Sequence, residues 1–351
     1  MSDKSLLVVS SPPHLRSSRN TRSIMLDVIL ALTPALAISV YFFGWRAVAV
    51  TLLSVASCVL FELLIQSIRK IPIRISDLSA VVTGILLAYN LPVTIPYWMV
   101  IAGAFFAIVI VKELFGGIGS NFMNPALAAR VFLTISWPAA MSTWVEPLQP
   151  IRVPILGLKA ADIMTAATPL SYLKQGLLPP QDFSLLDMGL GSIGGCLGEV
   201  SAFLLIGGGI YLLLLGVISP RIPVSFLGTV ALLTYLFPKG NEPVEWMLYH
   251  LLSGGLVLGA LFMATDYVTS PISRRGQIIF GIGCGLLTVL LRYYGTYPEG
   301  ASFAILIMNA LVWMLDKSLK PRRYGTPLIK LPEFFKKPGD KAGKSKAGDQ
   351  N

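Results

Sequence analysis

Apolar runs long enough to cross a lipid bilayer recur along most of this 351-residue chain, and they restrict its fold more than any other feature. A helix needs about 20 mostly apolar residues to span the hydrocarbon core. Hydrophobic residues make up 54% of the chain and charged residues only 13%, whereas a soluble domain carries roughly 25% charged residues. The sequence therefore predicts an all-α membrane protein rather than a soluble enzyme.

Apolar windows bounded by charged residues, Pro or Gly predict about ten transmembrane helices. These helices lie near 24–43, 46–67, 78–92, 97–112, 124–141, 196–218, 224–238, 244–265, 276–293 and 301–317. The predicted organisation is a cytoplasmic tail at 1–22, a first five-helix repeat at 23–141, a connection at 142–195, a second five-helix repeat at 196–318 and a basic tail at 319–351. The composition of the last segment, rich in Lys, Gly and Pro, predicts disorder.

Basic residues are concentrated on one side of the predicted spans. Arg16, Arg19 and Arg22 precede the first span, and Arg274 and Arg275 precede the ninth. The positive-inside rule therefore predicts that both termini are cytoplasmic and that the 142–195 connection is extracytoplasmic. The net charge of +10 is accordingly explained by membrane orientation and by contact with anionic lipid, and it does not predict a nucleic-acid partner.

Five spans lie on either side of the connection. Because five is an odd number, the second half begins on the opposite side of the membrane from the first, and the sequence therefore predicts two inverted repeats. Gly-rich turns at 116–121 and 294–300 precede the fifth and tenth spans. Irregular backbone at membrane depth needs protein or a cavity around it, so broken helices are predicted at the repeat interface, where such folds often bind their ligands. Ordinary loops at the membrane surface explain the same two turns equally well.

A short motif in the connection is the strongest sign of chemistry in the sequence. Asp162, Thr165, Ala167 and Thr168 form the pattern Asp-x-x-Thr-x-Ala-Thr, followed by Pro169. Taken alone, the segment is a short surface helix or turn that ends at the proline. Small neighbours leave the last threonine hydroxyl open to a bulky group.

This motif resembles the flavinylation motif of the membrane flavoproteins in the Rnf and Na⁺-translocating NADH:quinone reductase (Nqr) complexes. The resemblance covers roughly residues 10–318, and further matching stretches lie at 119–126, 263–271 and 297–304. It implies that a separate flavin transferase attaches FMN to Thr168 through a phosphoester bond. Asp162, Thr165 and Ala167 are then motif context.

Within this RnfD/NqrB family, the polar lead of about twenty residues favours the RnfD branch over the NqrB branch, whose members carry a longer extension. The resemblance implies a flavin-carrying subunit of a Na⁺- or H⁺-translocating ferredoxin:NAD⁺ oxidoreductase in the bacterial inner membrane. Such a subunit relays electrons together with the other Rnf subunits and is not catalytic alone. The alternatives are the NqrB subunit of the NADH:quinone reductase and, from another class, an inverted-repeat channel or secondary transporter.

Four polar residues near the ends of spans complete the predicted sites. Asn121 and Asn124 are candidates for binding a second, noncovalent flavin, which the family resemblance implies is riboflavin. Capping of the helix at 124–141 is the competing interpretation for both residues. Asp77 and Asp266 lie at the cytoplasmic ends of the third and eighth spans and are candidates for an ion path. The isolated cysteines and histidines predict no metal site.

Overall fold

The computed structural model describes residues 19–145, 168–180, 184–191, 194–199, 201–240, 242–297 and 299–319. Within these ranges the regular structure is helical, and no strand forms. The helices are α1 (Thr21–Phe43), α2 (Trp45–Ile68), α3 (Ser79–Tyr89), α4 (Tyr97–Phe105, continued as a π-helix over Phe106–Glu113), α5 (Pro125–Ser136), α6 (Pro138–Met141), α7 (Pro169–Lys174), α8 (Leu185–Leu190), α9 (Ala202–Leu214), α10 (Arg221–Leu236), α11 (Pro243–Leu252), α12 (Leu256–Leu258, continued as a π-helix over Gly259–Met263), α13 (Arg274–Tyr294) and α14 (Ala301–Ser318).

Each of the ten predicted segments contains one of these helices, but several are shorter than the sequence suggested. The segment at 124–141 is interrupted because the ring of Pro138 disfavours helical geometry at the residue before it, and Trp137 adopts φ −136° and ψ 65°. The segment predicted from 196 becomes helical only at Ala202. Residues 194–199 before it are irregular.

The largest departure from the predicted helices is a break in the segment at 244–265. The two parts, α11 and α12 with its π-helical continuation, are bent by 64° relative to each other. Gly254 and Gly255 lie between them with φ values of 70° and 59°, a left-handed conformation that glycine adopts without the cost that other residues incur. The break therefore depends on this pair of glycines.

Within the described ranges, α1, α2, α13 and α14 are each long and apolar enough to cross a membrane, and the bent α11–α12 pair is a fifth candidate. α3, α5, α9 and α10 are apolar but have only 10–17 residues each. The prediction of an all-α membrane protein is confirmed. The count of ten complete spans and their inverted relation stay predictions.

In each half of the chain, the second helix packs against the two helical segments that correspond in order. α2 contacts α3 and α4, and α10 correspondingly contacts α11 and α13. Between the halves, α1 packs against α9 and α5 packs against α14. α9 approaches α1 so closely that a Cβ atom at Gly208 would collide with the carbonyl oxygen of Ala31. Small residues at such contacts let helices approach within a membrane.

Two buried arginines donate to backbone carbonyl groups at a turn and at a helix end. Arg46 donates from Nε to the carbonyl oxygen of Val93 at 2.7 Å, in the turn after α3. Arg292 donates to the carbonyl oxygens of His250 at 2.5 Å and Ser253 at 2.8 Å, at the break after α11. Because the hydrocarbon core offers no water to such carbonyl groups, these side chains stabilise irregular backbone within the protein.

Candidate functional site

Thr168 lies at the N-terminal end of α7, where its backbone is extended, with φ −81° and ψ 150°. Its carbonyl oxygen accepts hydrogen bonds from the backbone N–H of Ser171 at 2.9 Å and from the Ser171 hydroxyl at 2.6 Å. Its own side chain makes no capping hydrogen bond. A threonine at this position commonly uses its hydroxyl as a cap, so here the hydroxyl remains available to another group. Asp162, Thr165 and Ala167 lie outside the described residues.

The short helix α7 is anchored by a small apolar core of its own. Leu170 and Leu173 pack with Met188, Trp246 and Tyr249. Lys174 adds a hydrogen bond from Nζ to the carbonyl oxygen of Thr296 at 2.6 Å. These contacts hold α7, which begins directly after the predicted motif, against α11 and against the turn that precedes α14.

Two cavities meet at Thr168. The larger, which we call the Thr168 cavity, has a volume of about 240 Å³ and is lined by α5, by Thr296, Tyr297 and Glu299 from the turn before α14, and by the start of α14. The smaller has a volume of about 40 Å³ and is lined on the other side by Leu170, Glu199 and Gly254. Glu299 lines both cavities. A group attached to the threonine oxygen can therefore extend into either cavity.

One wall of the Thr168 cavity is aromatic. Tyr297 and Phe303 stack with ring centroids 5.7 Å apart and ring planes inclined by only 10°, and Trp144 also lines the cavity. Flat aromatic surfaces favour offset stacking with another planar ring. The volume and the aromatic wall fit a planar tricyclic ring, whereas the small cavity is too narrow for one.

The most deeply buried charge in the Thr168 cavity is the guanidinium of Arg130, a residue only 4% exposed. It donates from Nη1 to Oδ1 of Asn90 at 2.6 Å and from Nη2 to Sγ of Cys196 at 3.4 Å. It also forms an ion pair with Glu299 and lies 3.7 Å from a carboxylate oxygen of Glu199. Arg130 thereby joins α5 to the end of α3, the loop at 194–199 and the turn at 295–300.

A second large cavity, which we call the Asn121 cavity, has a volume of about 320 Å³ and lies at the N-terminal end of α5. Most of its wall is apolar, and α1, α3, α9 and the π-helical part of α12 contribute to it. Its polar lining residues are Thr21, Ser79, Thr83, Lys112, Asn121, Asn124, Thr265 and Asp266. The structure thus brings together both asparagines and one of the two predicted aspartates.

The two asparagines play different structural roles. Asn124 caps α5, because its Oδ1 accepts from the backbone N–H groups of Ala126 at 3.0 Å and Leu127 at 3.3 Å. Its Nδ2 donates to the carbonyl oxygen of Met263 at 3.2 Å. Asn121 is only 7% exposed and lines the same cavity, yet its side chain has no hydrogen-bond partner among the described residues. Capping therefore explains Asn124 but does not explain Asn121.

The two predicted aspartates also differ. Asp77 accepts hydrogen bonds from the backbone N–H of Ser79 at 2.9 Å and from its hydroxyl at 2.8 Å, so it fixes the start of α3. Asp266 lines the Asn121 cavity directly and accepts from Thr269 at 3.3 Å. Burial raises the pKa of the Asp266 carboxyl group, although hydrogen bonds from the backbone of Val268 and from Thr269 oppose that rise. Of the two, Asp266 faces the cavity and Asp77 lies behind its wall.

A buried ion pair beside the Asn121 cavity was not predicted from the sequence. Lys112 Nζ lies 2.8 Å from Oε1 of Glu62 and 2.7 Å from Oγ of Ser79, and the two charged side chains are only 4% and 2% exposed. In the sequence, Lys112 is one of the basic residues that follow an apolar run and indicate orientation. Two features of the sequence could have indicated this pair. Lys112 and Glu113 end one apolar run, and Glu62 lies inside another apolar run.

Buried charges and irregular backbone within an apolar helical fold define this chain as a multi-pass membrane protein, and α5 contributes residues to two internal cavities. The chain belongs to the NQR2, RnfD, RnfE family, whose model matches residues 8–325.

Individual relatives agree with this assignment. The chain is 48% identical over 326 residues to the D subunit of the Na(+)-translocating ferredoxin:NAD(+) oxidoreductase complex of Acetobacterium woodii, covering 92% of this chain and 97% of the relative. It is 41% identical over 340 residues to the D subunit of the proton-translocating ferredoxin:NAD(+) oxidoreductase complex of Clostridium ljungdahlii, with the same coverage of 92% and 97%. It is 43% identical over 323 residues to the D subunit of the ion-translocating oxidoreductase complex of Stutzerimonas stutzeri, covering 86% and 91%.

Proposed function

We propose that this chain is the RnfD subunit of an ion-translocating ferredoxin:NAD⁺ oxidoreductase complex and that it carries FMN covalently on Thr168. The position of Thr168 carries the proposal, because its side chain makes no capping hydrogen bond to α7 and the residue lines two cavities at once. The full-length similarity to D subunits of such complexes supports the same role. The chain acts with other Rnf subunits, and a flavin transferase loads the FMN.

In this role, bound FMN supplies reversible electron transfer, and the residues of the chain hold and shield it. Pro169 starts α7 directly after the attachment point, so the threonine oxygen lies at a rigid corner. Tyr297 and Phe303 offer a flat apolar wall on one side. Arg130 and Glu299 line the same cavity as a paired polar group. These residues keep a tethered ring partly shielded from water.

The Asn121 cavity is the proposed site of a second, noncovalent flavin, riboflavin. Its volume of about 320 Å³ and its largely apolar wall suit a flat ring system. The unpartnered amide of Asn121 supplies hydrogen bonds to the polar edge of that ring. Residues of α5 line both cavities, Ala126 the Asn121 cavity and Arg130, four positions later, the Thr168 cavity, so about 6 Å of helix separates the two proposed flavin sites.

The proposed topology has ten spans in two inverted five-helix repeats, with both termini in the cytoplasm and Thr168 outside. Pairing of α1 with α9 and of α5 with α14 supports this arrangement, because a pseudo-two-fold axis brings first helix to first and fifth to fifth. The positive-inside distribution of Lys and Arg supports the orientation. Ion movement, of Na⁺ or H⁺, is proposed to involve the cavity that contains Asp266.

The covalent flavin is tested by mass spectrometry of the full-length chain purified from its native membrane. We expect an intact mass increased by one FMN phosphoester, and a modified peptide in which fragmentation assigns the added mass to Thr168. A chain of unmodified mass that gives no fluorescent band on a denaturing gel would contradict the proposal and favour the channel or transporter alternative.

The orientation is tested by labelling a cysteine placed at the exposed Gln175. The three native cysteines are buried, so they give a low background. A membrane-impermeant thiol reagent should label Gln175→Cys in intact spheroplasts. As a matched control, a cysteine at the exposed Arg69, on the opposite side in the proposed topology, should react only after lysis. The reverse order of labelling would invert the topology.

A further inference from the structure

Arg130 is the buried charge of the Thr168 cavity, and contacts with Asn90, Cys196, Glu199 and Glu299 fix its guanidinium while the residue lines the cavity. Asn90 and Cys196 bind it from one side. Glu299 pairs with it from the turn at 295–300, and this carboxylate also lines the Thr168 cavity. A positive charge of known position therefore faces the space into which a group on Thr168 extends.

The cavity sizes decide where a tethered flavin ring lies. The small cavity, about 40 Å³, also contains the carboxylate of Glu199, and it is both too narrow for a tricyclic ring and unfavourable for a group that gains negative charge. The Thr168 cavity, about 240 Å³, has space and an aromatic wall. A ring in that cavity shares a low-dielectric space with Arg130, where charges interact much more strongly than in water.

Resting on the proposed attachment of FMN to Thr168, we propose that Arg130 sets the reduction potential of this flavin and that Glu299 is the opposing charge that moderates it. Electrons that enter the ring add negative charge, which a fixed guanidinium favours and a fixed carboxylate disfavours. The paired charges of Arg130 and Glu299 thus act on the ring in opposite directions. The reduction potential of the flavin therefore depends on the distance of Arg130 and of Glu299 from the ring.

A purely structural role for Arg130 makes a different prediction. Its contacts also join α5 to three other segments, so the residue could serve only to hold those segments together. In that case, loss of Arg130 and loss of Glu299 would each weaken the same junction. The two substitutions would then change folding in the same direction and would have no opposite effects on the flavin.

The test uses the full-length flavinylated chain in detergent, after extractable flavin has been washed out, and titrates the remaining covalent flavin spectroscopically against redox dyes. Arg130→Gln should lower the ratio of reduced to oxidised flavin at a fixed potential about tenfold, which equals 59 mV for a one-electron step. Glu299→Gln should shift the ratio in the opposite direction. Arg130→Lys keeps the charge and should shift it less than Arg130→Gln.

Arg46→Gln is the matched control, because Arg46 is also buried, at 3% exposure, but lines neither cavity at Thr168. It should change the potential less than Arg130→Gln does.

If Arg130→Gln does not fold, Glu299→Gln and Arg130→Lys decide the question, since both preserve a donor towards Asn90. Unchanged potentials, or shifts of the same sign in the Arg130 and Glu299 variants, would overturn the assignment. Absence of covalent flavin from the unmodified chain would overturn the proposed function as well.

Discussion

The Thr168 cavity and the Asn121 cavity lie at opposite ends of the same helix, but their polar groups are arranged differently. In the Thr168 cavity the guanidinium of Arg130 is already paired with Glu299 and Asn90. In the Asn121 cavity, Asn121 lines the wall and its amide has no hydrogen-bond partner among the described residues. A ligand fixed by a covalent bond needs no free donors to remain bound, whereas a noncovalent ligand must obtain its affinity from the wall.

The sharpest way to test this comparison is to remove the covalent anchor alone. Thr168→Ala should abolish covalent flavin completely and leave the acid-extractable flavin in place, because the Asn121 cavity does not include Thr168. The two pools are measured by fluorescence of the denatured band and of the acid supernatant. Ser171→Ala is the matched control, since it removes a nearby hydroxyl that contacts the Thr168 carbonyl oxygen. Residual covalent fluorescence in the Thr168 variant would contradict the attachment site.

A second prediction concerns the buried pair that borders the Asn121 cavity. Lys112→Met should destabilise the protein by about 3–5 kcal/mol, because it leaves the carboxylate of Glu62 buried and uncompensated. The double variant with Glu62→Gln should recover part of that loss. Thermal unfolding in detergent measures both effects. Additive losses in the double variant would mean that the two side chains are not energetically coupled.

The unpartnered amide gives a third prediction. Asn121→Leu should weaken the binding of extractable flavin roughly tenfold, because a buried hydrogen bond to the ring is lost and its partner is left unsatisfied. The covalent flavin on Thr168 should be unaffected. Equilibrium dialysis with riboflavin measures the affinity, and the fluorescent band measures the covalent pool. Unchanged riboflavin affinity would remove Asn121 from the site.

The smallest effect is expected at Asn124, whose side chain is already used as a helix cap. Asn124→Ala should cost about 1 kcal/mol of stability through the lost cap on α5. Riboflavin affinity should change less than in the Asn121 variant. The same unfolding and dialysis measurements apply. A larger loss of affinity at Asn124 than at Asn121 would reverse the roles that we assign to the two residues.

The sequence located the helices well because apolar runs and their boundaries are local properties of the chain. Each of the ten predicted segments contains a helix, and Pro138 and Gly254 account for two of the differences in length. The break at 253–255 was not predicted because Ser253, Gly254 and Gly255 have small side chains without charge and lie inside a longer apolar run. Hydropathy does not distinguish such a stretch from continuous helix.

The pairing of charged residues was much less accessible from the sequence. Lys112 and Glu62 are 50 positions apart, and they meet only because α2 packs against the π-helical end of α4. Arg130 and Glu299 meet through the packing of α5 with α14. Arg130 and Glu62 each lie inside an apolar run, which marks them as costly charges in a membrane, but the sequence alone does not show their partners. The motif that ends at Thr168 was recognisable because its residues lie within seven positions of the chain.

The break between α11 and α12 has a consequence for how the chain is assembled during synthesis. The carbonyl oxygens of His250 and Ser253 receive their donors from Arg292, which lies about forty residues later in α13. The ribosome therefore delivers the bent segment before the side chain that stabilises it. Until α13 enters the membrane, residues 243–263 can satisfy these carbonyl groups only as a straighter helix or with trapped water. The bend at Gly254 and Gly255 thus gains its protein donors only when α13 arrives from the translocation machinery.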